Sequence, residues 1–144
     1  MDATQTSAGV AAGPASGSAQ PRAWPRRLYL ILAWLFLAGV VAQAFLAGAG
    51  LFVPGQWLLW HGVLGHLLSS PLPVIPALLL ILSFVGRMPA AVRWLTALLL
   101  ILAWVQPVFL YLRGLVPLLA SLHPVNALLL FALPLALIAR GRAS

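Results

Sequence analysis

The sequence predicts an all-α integral membrane protein, a four-helix up-down-up-down transmembrane bundle. Three observations predict it. The 144 residues are 63% hydrophobic and only 6% charged, where a soluble domain carries about 25% charged residues to keep its surface wet. The apolar residues fall into four runs, each as long as the ~20 residues a helix needs to cross a hydrocarbon core. The arginines stand at the ends of those runs.

Residues 1–25 are rich in Ala, Gly, Ser, Thr and Pro and nearly free of large apolar side chains, which predicts a disordered tail. Residues 26–144 are the four-helix domain. Its first run extends from about Leu28 to Val53. Basic Arg22, Arg26 and Arg27, an apolar stretch and Ala42-Gln43-Ala44 imitate a cleaved secretory leader, but the apolar stretch continues to Val53, so an uncleaved helix is expected. The second run, Trp57 to Val85, is longer than a straight span requires. Pro71, Pro73 and Pro76 are expected to kink it or break it in two. The third run spans about Val92 to Leu112 and the fourth about Leu115 to Ala139.

Charge sets the orientation. An even number of helices puts Arg22, Arg26, Arg27, Arg87, Arg93, Arg140 and Arg142 on one side, which the positive-inside rule makes cytoplasmic; only Arg113 falls opposite. Both termini are therefore expected inside. Trp24, Tyr29 and Trp94 mark the inner interface, and Trp57, Trp60 and Tyr111 the outer one. The net charge of +7 comes from arginines spread over helix ends, not from a basic patch, so nucleic acid is not an expected partner. The lipid bilayer is, with a membrane protein partner or a second copy of the chain as further candidates.

Missing residues narrow the chemistry. With no cysteine, there are no disulfides, thiolate metal sites or cysteine nucleophiles. The single acid is Asp2 in the tail, which removes paired-carboxylate hydrolysis and carboxylate proton relays. Only His61, His66 and His123 can titrate near neutral pH or ligate a metal. No enzyme activity is evident.

The intramembrane polar residues form a pattern. Gln43 is followed eighteen residues later by His61, and Gln106 seventeen residues later by His123. Each half thus has a glutamine late in one helix and a histidine early in the next, as two copies of one hairpin would give. At about 1.5 Å per residue Gln43 lies roughly 24 Å from the arginine end of its helix. All four residues are expected in one layer in the outer half of the bilayer. Gly39, Gln43 and Ala47 share a stripe, as do His61, Gly65 and Ser69, and His123 with Ala127; such small residues admit either a cofactor edge or a second helix.

Glutamine, a glycine-rich helix end and a histidine early in the next helix, twice over, resemble one half of a heme A synthase. In that family each half is a four-helix bundle whose second and fourth helices supply histidines to a heme, and His61 and His123 match those positions. The family's Glu-X-X-His-Arg motif is not matched: Leu58 and Gly62 stand there, so the resemblance implies heme ligation without heme oxidation. The segments WLLWHGVLGH and LHPVNALLLF also resemble an uncharacterised family of small four-helix bacterial membrane proteins.

Two readings of the polar layer result. In one, His61 and His123 hold a b-type heme from opposite faces, Gln43 and Gln106 line it, and Arg113, on the face of Gln106, pairs with a propionate. In the other, the protein is a cofactor-free structural or partner-binding membrane protein whose histidines make interhelical hydrogen bonds. His66 is an alternative axial ligand, though it is more simply expected to satisfy a backbone carbonyl. A three-histidine zinc or copper site requires His61 and His66 to chelate together, although they diverge by about 140° around their helix. A transport pore would require several copies of the chain.

Overall fold

A computed structural model describes residues 23–143; Asp2, Arg22 and all of the tail expected over residues 1–25 except Ala23–Pro25, which are helical, lie outside them. Among the described residues every regular element is helical. Helix α1 (Ala23–Phe52) begins five residues before the run expected from Leu28. Pro25 is tolerated there because a helix's first turn has no intrahelical use for its N–H groups. The chain leaves α1 just before Pro54 and turns at Gly55, whose φ of 137° only glycine adopts without strain.

The prolines divide the second run. Helix α2 (Trp57–Ser69) and helix α3 (Val74–Val85) are separated by the Ser70–Pro73 connection, whose Ser70–Pro71 bond is cis. Helix α4 (Ala90–Tyr111) carries Pro107 inside it and ends in a 3₁₀ turn (Leu112–Gly114). A short helix α5 (Pro117–Ala120) leads into helix α6 (Leu122–Ala143). By length and apolarity four segments can cross a membrane: Ala23–Phe52, Trp57–Val85, Ala90–Gly114 and Pro117–Arg142.

The four segments form a ring. Helix α1 lies against α2, α3 and α6, and α4 lies against the same three, so α1 faces α4 across one diagonal and α2 faces α6 across the other. Buried residues recur at helical spacing: Tyr29, Ala33, Phe36 and Leu37 on α1, and Val92, Thr96, Leu99 and Ala103 on α4. With Leu79 and Leu82 of α3 and Leu137 and Ile138 of α6 they place the core in the half of the bundle nearer the arginines. The outward faces are apolar as well, with Ile31, Leu35, Phe45, Leu67, Ile81, Trp104 and Leu128 exposed. A helix apolar on all sides has no face for water, and lipid is the solvent it suits.

One aromatic expectation is corrected here. Tyr29 is not an interface residue: it is fully buried, and its hydroxyl lies 2.6 Å from Thr96 Oγ1 across the α1–α4 diagonal. The Thr96 hydroxyl donates to the Val92 carbonyl at 2.8 Å, so Tyr29 is the donor of the pair. A phenol in an apolar interior needs such an acceptor, and Thr96 supplies it at the same depth. Because Tyr29 depends on Thr96 while Thr96 keeps its carbonyl, the two substitutions are unequal. Thr96→Val strands a buried hydroxyl and is expected to cost about 1–3 kcal/mol, while Tyr29→Phe costs about 0.5–1.5 kcal/mol. Unfolding in detergent micelles measures both, and equal costs would contradict the assigned donor.

Candidate functional site: a histidine–glutamine layer

Above the apolar core, at the end of the bundle away from most of the arginines, the structure gathers the polar residues of both hairpins. His61, near the start of α2, directs Nδ1 at the backbone carbonyl of Gln43 on α1, 3.0 Å away. His123, near the start of α6, directs Nδ1 at the backbone carbonyl of Gln106 on α4, also 3.0 Å away. A carbonyl only accepts, so in both histidines Nδ1 carries the proton and the neutral ring leaves Nε2 bare. The two rings meet across the α2–α6 diagonal, with centroids 6.4 Å apart and planes at 68°. The two-hairpin pattern of the sequence is thus matched by the same hydrogen bond made twice.

The hairpins differ in how their glutamine side chains are satisfied. In the second, Asn126 Nδ2 donates to Gln106 Oε1 at 2.6 Å and to the Leu102 carbonyl at 2.9 Å. Gln106 Nε2 donates to the His123 carbonyl at 3.1 Å and approaches His123 Nε2 at 3.4 Å. That network is closed. In the first hairpin the position three residues after the histidine is Leu64, which has no donor, and Gln43 Oε1 is buried with no hydrogen-bond partner. An unpaired amide oxygen in an apolar setting is costly and marks where a donor would be welcome.

Small residues decide how close the helices come. A Cβ on Gly39 would lie 3.0 Å from Leu68, and one on Gly50 only 2.5 Å from Leu58, so both glycines let α2 press against α1. A Cβ on Gly65 would meet Gln43 Nε2 at 2.6 Å. The space above Gly65 is therefore filled by the Gln43 amide, not left for a cofactor edge.

The remaining candidates stay apart from the layer. His66 is exposed on the outer face of α2, beside Leu58, Leu59, Gly62, Val63 and Leu67. Among the described residues no group of three metal-binding side chains assembles, so the three-histidine metal site is not formed. Arg113 is exposed in the 3₁₀ turn after α4. The part that Asn126 plays in fixing Gln106 is visible only in the structure. Thr96 was missed, and its signal was its place three residues after Arg93, the same depth as Tyr29 two residues after Arg27.

Fold and site together define a small all-helical protein with four membrane-length apolar segments and a paired histidine–glutamine layer. A family of unknown function, DUF6220, matches residues 43–112, from Gln43 on α1 to the first residue of the 3₁₀ turn after α4. No curated protein and no solved structure matches the chain. The heme A synthase resemblance rests on the sequence pattern alone.

The closed network yields a prediction. Asn126→Ala removes two interhelical hydrogen bonds worth about 0.6 kcal/mol each in a membrane bundle, a loss of about 1 kcal/mol, whereas His66→Ala should change stability by less than about 0.5 kcal/mol. Micellar unfolding of the two variants against the parent checks the contrast.

Proposed function

We propose that the chain is a multi-pass protein of the bacterial cell membrane, with both termini on the arginine-rich cytoplasmic side, and that His61 and His123 ligate a b-type heme in the outer half of the bilayer. The observation that carries this reading is the repeated Nδ1 hydrogen bond. Metal-ligating histidines characteristically donate their second ring N–H to a carbonyl, which fixes the tautomer and bares the other nitrogen. His61 and His123 both have that arrangement before any metal is considered. The two rings also face one another across the bundle, with 6.4 Å between their centroids.

Two imidazoles are the donor set of a low-spin heme, which would supply one-electron transfer at the outer end of the bundle once the Gln43 amide moved from the space above Gly65. His61 and His123 would hold the iron; the carbonyls of Gln43 and Gln106 would hold the rings. Gln106 Nε2, at 3.4 Å from His123 Nε2, would have to turn away to free that nitrogen. Arg113, the one arginine at this end among the described residues, suits a carboxylate at the rim.

A second reading is favoured by the closed Gln106–His123–Asn126 network. On this reading the layer is a polar clasp that fixes helix register in a cofactor-free structural or partner-binding membrane protein. The absorption spectrum separates the two. Protein purified from heme-replete cells should show reduced-minus-oxidised heme bands that disappear in His61→Ala and in His123→Ala and persist in His66→Ala. A colourless protein of full helical content leaves the clasp.

A further inference from the structure

We infer that the groove between α3 and α4 at the arginine end binds an anionic phospholipid, with an acyl chain along the groove and the phosphate on Arg93. The inference rests on the membrane placement proposed above and is independent of heme.

Charge is the first observation. Residues 23–143 contain no Asp or Glu. Arg27, Arg87, Arg93, Arg140 and Arg142 gather at one end of the bundle, and among the described residues no carboxylate side chain stands beside them. Anionic headgroups are the counter-ions that a membrane surface offers to such a cluster of arginines.

Shape and local electrostatics then select one place in that belt. A groove of about 310 Å³ runs between α3 and α4, walled by Leu80 and Phe84 on one side and by Ala90, Arg93, Trp94 and Ala97 on the other. Its walls are apolar except for Arg93, whose guanidinium is held 5.2 Å above the Phe84 ring. That cation–π contact fixes the charge at the rim of an apolar slot, the polarity order of a phospholipid. Exposed Trp94 beside it is the side chain type that anchors at the headgroup level. Helix α4 also opens here on Pro89 with no side-chain cap and no acid in its first turn. An arginine in a first turn opposes the helix dipole unless an anion is present, and the uncapped N–H groups add to the attraction for a phosphate.

The test uses the full-length protein, delipidated in detergent and offered equimolar phosphatidylglycerol and phosphatidylcholine with identical acyl chains. Native mass spectrometry reads the lipid retained. Phosphatidylglycerol should be preferred in the parent protein, and Arg93→Gln should reduce that preference about fivefold, the weight of one arginine near an anionic surface. Ala97→Leu, which fills the groove without touching charge, should reduce phosphatidylglycerol retention as well, and it keeps the proposal open to test if Arg93→Gln does not fold. Equal retention of the two lipids by the parent, or unchanged retention in both variants, overturns the inference. A detergent-dependent, helical protein showing that result would leave the membrane placement standing, whereas a protein soluble without detergent would remove the placement itself.

Discussion

A chain with eight arginines, three histidines and one acid must satisfy its polar side chains on something other than carboxylates. The backbone carbonyl takes that part throughout the bundle. His61, His123, Asn126, Thr96, Ser83 and Arg26 all donate to main-chain oxygens, at the Gln43, Gln106, Leu102, Val92, Leu80 and Gly141 positions. A carbonyl oxygen has two lone pairs, and a helix uses one, so each helix offers a column of spare acceptors. In an apolar medium the acceptor's exact place matters, because a donor that misses it has no water to fall back on. The ring arrangement of the four segments follows in part from this: each hairpin is held by a histidine reaching the carbonyl of the preceding segment.

The same rule separates the two hairpins. Where Asn126 is present, one residue bonds both a carbonyl and the Gln106 amide, and the layer closes. Where Leu64 takes the matching position, the Gln43 oxygen is left over. The proposed heme and the proposed clasp use the same two imidazoles and differ in what the glutamine side chains do. At the arginine end the partners are a carbonyl and aromatic rings: Arg26 donates to Gly141, Arg93 lies over Phe84 and Arg142 over Trp34.

Much of this was legible in the sequence because one-dimensional signals sufficed. Run length and composition gave the four membrane-length segments, and Pro71, Pro73 and Pro76 gave the break in the second. The pairing of Gln43 with His61 and of Gln106 with His123 was readable because hairpin geometry fixes which residues share a depth. Partners across a diagonal were not readable. Tyr29 looked like an interface aromatic, since tyrosine is amphipathic and stood near arginines; only rotation of α1 about its axis places it inside against Thr96. The space above Gly65 was likewise ambiguous, because a missing side chain does not say what fills the gap. There it is the Gln43 amide.

The break between α2 and α3 has a mechanical meaning for the histidine pair. His123 stands on α6, a helix continuous for 22 residues and embedded in the core through Leu130, Leu137 and Ile138. His61 stands on α2, a helix of 13 residues that ends at Ser69 and whose only buried residues are Leu68 and Ser69. One imidazole is mounted on a post and the other on a short lever, pivoted at the Ser70–Pro73 joint and braced against α1 by Gly39 and Gly50. The two imidazoles are therefore held unequally, His123 through the core beneath it and His61 through its bond to the Gln43 carbonyl on α1.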